Sequence, residues 1–553
     1  MTGNIICILI AIVVYLAGMV AIGVYYSKGQ SDAHEFYLGG RKLGPIVTAL
    51  STEASDMSAY LLMGVPGLAF FCGIAEASWT AIGLALGTYL NWLFVAKRLR
   101  RYSVRLGALT LPEYISRRFY DNTKLIELIG AITIIVFYVP YTASGFSACG
   151  KLFGTLFGYD YVPTMIISAA VIVAYTTCGG FTAASVTSLV QSLIMVFALA
   201  VVLIFGINSV GGWENVIANA KAIPGYLSMT ATTSIQAAEA GEFGALKIIS
   251  TLAWALGYFG MPHVILHFMA IKDEKKLKLS RRVATVWVVV SLSVAVIIGI
   301  VGYSMAKENI IAMFGDASSA EALIVTIAAV LSEYGAFFAI LAGLVLAGIL
   351  AATMSTADVQ LLAAASAIAQ NIIRGVFGVE LDDKKSMIVA RVTVLCVAVC
   401  GVLFALDPTS SIFRVVSFAW AGFGATFGPI VLFSLYWKRC NKWGAIAGMF
   451  SGAAMVFIWK YAIAPIGGAF AIYELLPAFI FSVLVIVVVS LCTAEPDAVS
   501  IRLDTGGAEA MRGQLREQNA CAAADLDDLL AGRQIRKQQI RRAGAQLSGM
   551  AVR

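Results

Sequence analysis

Two carboxylates, Glu53 and Asp56, sit in a polar run from Ser51 to Ser58 that interrupts an otherwise apolar stretch, STEASDMSAYLLMGVPG at 51–67. Carboxylates inside a membrane-crossing segment are expensive and by default mark an ion or substrate pathway. Gly64, Pro66 and Gly67 follow within three turns. Pro66 cannot donate to the carbonyl of Leu62, and the glycines tolerate unwound backbone. Freed carbonyls at membrane depth persist only where they face protein, water or an ion. A Pro-kinked helix whose Ser and Thr bond their own turn produces the same pattern, so both readings stand on this stretch alone.

A second interruption lies in TLAWALGYFGMPHVILHFMA at 251–270, where Gly257, Gly260 and Pro262 break the run and His263 and His267 follow. A third polar site is Ser355-Thr356 in LAGILAATMSTADVQLLAAASA, with the Ala352 carbonyl one turn back and Asp358 one turn on. Na+ is a hard cation that takes several oxygen ligands. Two hydroxyls here and two carbonyls from the broken earlier segment make a suitable cage. Back-bonding of the pair to its own turn is the plain alternative, and a wet helix end is the plain reading of Asp358. Tyr141, Trp254 and Tyr258 stand beside polar or Gly-rich backbone. An ammonium suits an aromatic face, and a carboxylate suits the positive end of a half-helix; packing and interface anchoring are the alternatives.

The elements that must position these groups are membrane helices. Of 553 residues, 60% are hydrophobic and only 13% charged, with a mean hydropathy of +0.86, against about 25% charged in soluble domains. Apolar segments of crossing length fall near 4–26, 45–72, 74–96, 125–149, 160–179, 188–210, 246–271, 283–305, 330–371, 387–406, 412–436, 443–461 and 474–493. The first is too long for a signal-peptide core and lacks a cleavage site. With the N-terminus outside, 33 of the 39 Lys and Arg lie in inner loops and the tail. The exceptions are Lys151, Lys221, Lys247, Lys307, Arg414 and Lys460. The positive-inside rule thus predicts thirteen spans, N-terminus outside and C-terminus cytoplasmic.

The second and seventh spans are both Gly/Pro-interrupted, five spans apart. Paired broken helices point to an inverted repeat with a midplane site, here the second to sixth and seventh to eleventh spans. The fold expected is an all-α membrane protein built on that repeat, with the first, twelfth and thirteenth spans peripheral. Residues 495–553 are polar, and form either a solvated cytoplasmic tail or, over Leu526 to Gln546, a basic amphipathic helix. The nine cysteines show no CxxC pairing; Cys396 and Cys400 share a helix face and read as small packing residues.

The chain resembles the sodium/solute symporter family, and within it the sodium/proline symporters. The segments that carry the likeness are FYLGGRKLGP at 36–45, ASDMSAYLLMGVPG at 54–67, LTLPEYISRRF at 109–119 and YTASG at 141–145. GYFGMPHVILHFMA at 257–270, ILAATMSTADVQLL at 349–362 and SFAWAGFGATFGPIVLFSLYW at 417–437 complete it. The tail is not covered. The resemblance implies sodium-coupled uptake of L-proline, or a similar small zwitterion, by alternating access across the plasma membrane. It implies Na+ ligation by the backbone carbonyls of Ala54, Met57 and Ala352 and the hydroxyls of Ser355 and Thr356. Asp56 and Ser58 would support that site, and Arg41 would be tied to coupling from the cytoplasmic side. Tyr60, Gly64, Tyr141, Trp254, Tyr258, Pro262 and His263 would line or flank the substrate pocket.

Four departures accompany the match. Ser188 replaces a family Asp after Val186-Thr187, which argues for one sodium rather than two. Met261 replaces a Gln before Pro-His, His267 stands at a basic position, and Tyr60 stands where proline carriers tend to have Trp. The Tyr60 and Met261 changes bear on the substrate and leave sodium coupling untouched. A proton-driven version through Asp56 or Glu53 is a neighbouring reading, but hydroxyls do not titrate, so Ser355-Thr356 favours Na+. A symporter of another small amino acid or carboxylate, or a transporter-like sensor signalling through the tail, are the remaining alternatives. No metal-ligand cluster, nucleophile elbow or phosphate loop supports an enzyme. No cofactor beyond co-transported Na+ is implied, and the basic loops follow the membrane rather than a nucleic acid.

Overall fold

The computed structural model describes residues 2–493 apart from 28–32, 179, 234, 236–239 and 380–381; the polar tail and its amphipathic segment lie outside them. Helices occupy all thirteen predicted positions. Among the described residues nine are long and apolar enough to cross a membrane, or eleven if two bent pairs each count as one span. The shorter apolar helices at Tyr161–Ala174 and Ile388–Phe404 fall on the predicted fifth and tenth spans. The ninth span is shorter at its start than expected. Leu323–Ser332 is a separate helix, and the long element begins at Ala336 after Gly335, whose φ of 118° suits no other residue well.

Helix Ala336–Ser366 is the axis of the bundle, buried along nearly its whole length. It packs on Thr2–Ser27, Pro45–Ala59, Leu125–Phe157 and Phe181–Ser209. With no hydrophobic drive between helices in lipid, close packing of small residues holds such contacts. Gly343 illustrates it: a Cβ there would lie 2.7 Å from the Ala11 side chain and 3.0 Å from the Ile8 carbonyl.

The second span is broken, but not where Pro66 suggested. Inside Pro45–Ala59, one residue before its end, Ser58 has φ 45° and ψ −167°, a conformation nearly restricted to glycine and costing about 1–3 kcal/mol. A π-helical turn, Tyr60–Gly64, follows, and Pro66 then sits in the first turn of Val65–Cys72. The backbone stays helical through Gly64 and Val65, and Leu62, toward which Pro66 has no N–H to donate, lies within that wide turn. The seventh span breaks as expected. Ala245–Gly257 and Pro262–Ala270 meet at 42°, with Pro262 opening the second half. The two broken spans are tied at one end: Leu43 N–H donates to Ala270 O at 3.3 Å, and Lys272 N–H to Leu43 O at 2.9 Å.

Two expectations about polar groups change. Cys396 and Cys400 lie on the exposed face of Asp383–Phe404, because Thr393, Val394, Val397 and Ala398 fill the face turned inward. Asp358 is not at a wet helix end; it is buried, and Thr176 Oγ1 donates to its Oδ1 at 2.5 Å.

Candidate functional site

Ala54 O lies one turn before the Ser58 break and has acceptor capacity facing the ninth span. Ser355 Oγ takes up that capacity, donating to Ala54 O at 2.8 Å, with Ala352 O at 3.1 Å. Thr356 Oγ1 also reaches Ala352 O, at 3.1 Å. Four of the five expected oxygen donors thus meet where the second span crosses the ninth, all in buried residues. The fifth, Met57 O, is held differently and accepts from the Tyr60 N–H, as does Ser58 O. Ser58 Oγ accepts from the same N–H at 3.1 Å, which fixes the break. Neutral carbonyls and hydroxyls of this kind suit a hard monovalent cation.

Asp56 points elsewhere. Its carboxylate accepts from Tyr258 Oη at 2.6 Å, and its second oxygen faces His263 Nε2 at 3.7 Å, beyond hydrogen-bond distance. Its backbone carbonyl accepts from Tyr141 Oη at 3.1 Å. Tyr138, which sequence reasoning missed, orients His263: Tyr138 Oη lies 3.0 Å from His263 Nδ1 and accepts from the His263 N–H at 3.2 Å. Asp56 therefore links the broken halves of the second and seventh spans to the fourth. Glu53 lies one turn away, buried, with Trp92 Nε1 donating to it at 3.2 Å.

The aromatic residues gather above this layer. Tyr60 stacks on Phe413 at 5.4 Å between centroids and lies 5.4 Å from Trp254, which in turn stacks on Tyr473 at 5.3 Å. Trp420 Nε1 donates to Trp254 O at 2.9 Å. A side chain at Gly257 would collide with the Trp420 ring, so the glycine at the seventh-span break admits the indole. Gly64 faces Tyr60 and Phe413, and together with Trp254 and Phe413 it forms part of the lining of a cleft of about 880 Å3. Phe413, Trp420 and Tyr473 carried no sequence signal of their own; 353 residues separate Tyr60 from Phe413.

The remaining expected residues fall outside this centre. Pro262 opens its half-helix without contacting the aromatic stack through a polar group. Arg41 lies away from the oxygen cluster, bonding Ser103, Ala108 O and Met269 O at 2.7–3.1 Å. Burial, with Arg100 nearby, lowers its guanidinium to about 10, so it stays charged at neutral pH. It clasps the loop after the third span to the end of the seventh. Among the departures, Met261 and Ser188 are buried, and His267 Nδ1 lies 2.8 Å from His263 O with Phe181 against its ring.

Residues 36–452 match the Sodium:solute symporter family. The chain is 39% identical over 498 residues to the osmoregulated proline transporter OpuE of Bacillus subtilis (strain 168), covering 90% of this chain and 97% of the relative. It is 39% identical over 497 residues to a sodium/proline symporter of Staphylococcus aureus (strain USA300 / TCH1516), covering 88% and 93%. Among solved structures, a Na+-coupled sialic acid symporter in a substrate-bound outward-open state superposes with a TM-score of 0.72 at 19% identity, covering 88% of this chain and 98% of that one. That last likeness establishes a shared fold and no more. On the strength of the family match and of relatives aligned along almost their whole length, this chain belongs to the sodium:solute symporter family.

Proposed function

We propose that this protein is a sodium-coupled secondary active symporter of the plasma membrane that imports L-proline, or a closely similar small amino acid, by alternating access. The observation that carries the reading is the contact of Ser355 Oγ with Ala54 O across two spans, beside Ala352 O, to which Thr356 Oγ1 also donates. The names of the relatives, a proline transporter and a sodium/proline symporter, support the substrate.

Na+ replaces the hydroxyl-to-carbonyl hydrogen bonds and is held by Ala54 O, Met57 O, Ala352 O, Ser355 Oγ and Thr356 Oγ1. Because the ligands come from the second and ninth spans, separating these spans dismantles the site. Binding therefore stabilises the arrangement in which they touch, which orders the Ser58 break. Ser58 and Asp56 support the site through that break. The substrate lies against Tyr60, Trp254 and Gly64. Tyr141, Tyr258 and His263 shape the floor, Pro262 flanks it by opening the half-helix that carries His263, and the unspent Asp56 oxygen is an acceptor for the substrate ammonium. Tyr60 in place of an indole gives a slightly larger pocket, with its ring still stacked.

Thirteen spans place the N-terminus outside and the C-terminus in the cytoplasm, with residues 1–494 as the transport unit and 495–553 as a cytoplasmic tail. The second to sixth and seventh to eleventh spans form the inverted repeat, and Arg41 fastens its inner side. Radiolabelled proline uptake into proteoliposomes, with and without an inward Na+ gradient at fixed pH, tests the whole reading. Uptake only with the gradient is expected. Uptake driven equally well by a proton gradient without Na+ would overturn the ion assignment. No proline uptake by protein that still binds Na+ would move the substrate to another small amino acid or carboxylate.

A further inference from the structure

The third and eighth spans meet at a seam that the central site does not use. The third, Ile74–Phe94, bends into the basic helix Ala96–Arg105, and the eighth, Leu277–Lys307, opens on a second basic run. Residues 97–105 and 272–282 hold eleven Lys and Arg against two acids, Asp273 and Glu274. Part of this charge is used within the protein. Arg101 pairs with Glu274 at 2.7 Å, Arg100 Nε donates to Ile271 O at 2.7 Å, and Arg98 donates to Leu435 O at 3.1 Å. Arg281 is placed differently. Its guanidinium lies 5.1 Å from the centre of the Tyr89 ring, which marks where the two spans touch. Its Nε is covered, yet has no hydrogen-bond partner among the described residues, and the same holds for Thr285 Oγ1 one turn on. A threonine inside a helix ordinarily bonds the carbonyl a turn back, and covered polar atoms without partners are rare enough to need a cause. The surface beside them is apolar and exposed: Leu86, Tyr89 and Leu93 recur at helical spacing on the third span, Val286 and Val289 on the eighth.

We propose that this seam binds one anionic phospholipid, its phosphate held by Arg281, Arg282 and Thr285 and its acyl chains lying along Leu86, Val286 and Val289. The proposal is independent of the ion and substrate assigned above. A soluble anion would use the cations and leave the apolar ridges bare, and a neutral lipid would do the reverse. Only a negative headgroup joined to chains uses both. Arginine suits the place, because its stem lies along apolar surface while the guanidinium stays at headgroup depth. Basic pockets between membrane helices attract anionic headgroups in this way. A choline headgroup would bring a further cation into a region already rich in them, and so binds more weakly. Arg282 is exposed, so its share of the pull is screened by salt. Ser280, next to Arg281, donates to Pro45 O at 2.8 Å, which places the lipid behind the anchor of the broken second span.

The test uses the purified full chain in a nonionic detergent, titrated with phosphatidylglycerol or phosphatidylcholine of the same acyl chains, with bound lipid counted by native mass spectrometry. Wild type should hold one phosphatidylglycerol about tenfold more tightly than phosphatidylcholine. Arg281→Gln with Arg282→Gln should weaken phosphatidylglycerol about tenfold or more and leave phosphatidylcholine as it was. Arg282→Gln alone, at an exposed position that folding tolerates, should weaken it by about threefold or more. Lys275→Gln with Lys276→Gln removes the same charge outside the seam and should change neither affinity. Glycerol phosphate, the headgroup without chains, should not displace the bound lipid. Phosphatidylglycerol held equally well by wild type and both arginine variants would overturn the site. An equal loss in the Lys275, Lys276 variant would do the same, by reducing the effect to net charge. Displacement by glycerol phosphate would replace the lipid with a soluble anion and overturn the proposal as stated.

Discussion

In the proposed scheme Ser355 and Trp254 divide the labour at the scale of single residues. Ser355 and Thr356 touch only backbone carbonyls in this structure, whereas Trp254 touches Tyr60, Phe413 and Tyr473. Replacing Ser355 and Thr356 together by Ala removes two of five oxygen ligands. At about 1 kcal/mol or slightly less for each, the Na+ concentration for half-maximal uptake should rise about tenfold or more. At saturating Na+ the proline KM should change little. Trp254→Ala should do the reverse and raise the proline KM by about tenfold through lost cation–π and ring contact. Kinetics at varied Na+ and varied proline separate the two, and equal shifts of both constants in both variants would sink the division. The hydroxyl pair was legible in the sequence because two adjacent hydroxyls are conspicuous in an Ala-rich helix. The role of Phe413 was not, because a lone aromatic near a helix start carries no pattern, and only folding brings it onto Tyr60.

Helices and their breaks form the next scale, and there the sequence misplaced one break and located the other. Pro66 was a fair signal, and a wide π-helical turn lies just before it, but the backbone stays helical there. The break instead falls at Ser58, whose backbone is held by contacts distant in sequence, including Ser355 against Ala54. In the seventh span the local signal and the tertiary requirement coincide, since Gly257 must admit the Trp420 indole. The start of Ile412–Tyr436 was also invisible from the chain alone. Glu321 accepts Ser411 Oγ at 2.8 Å and two N–H groups of that start, and its charge is balanced by Lys151, which also bonds Ser318 and Ser410 O. Glu321 is buried at 1% exposure and the Lys151 side chain is largely covered at 10%, so removing Lys151 strands a buried charge. Lys151→Met should destabilise the protein by about 3 kcal/mol or more. Lys151→Met with Glu321→Gln should recover part of that, because no charge is stranded and the amide oxygen still accepts one of the two N–H groups. Thermal unfolding of the purified variants decides; equal losses in the single and the double variant would show that the pair is not an ionic brace.

For the whole molecule, the consequential fact is that the expected Na+ ligands belong to elements 301 residues apart while the substrate residues flank the same break. The apolar segments and the two Gly/Pro interruptions made the helices legible, because both follow from the cost of polar groups and unpaired backbone in lipid. They say nothing about which helix faces which, and that decides coupling. In the proposed scheme one segment, Ala54 to Tyr60, contributes to both sites: Ala54 O to the ion, the Asp56 carboxylate and the Tyr60 ring to the substrate. Whatever orders this segment for one ligand spares the other that cost, so each must raise the other's affinity by the same factor. That factor is expected to be about 5- to 150-fold, or about 1–3 kcal/mol. Equilibrium binding to the purified protein measures both directions: proline binding at zero and saturating Na+, and Na+ binding at zero and saturating proline. The two ratios should agree, and both should fall toward one in the Ser355→Ala, Thr356→Ala variant. Proline affinity independent of Na+ in the wild-type protein would mean that the Ser58 break does not connect the sites, and another element would have to carry the coupling.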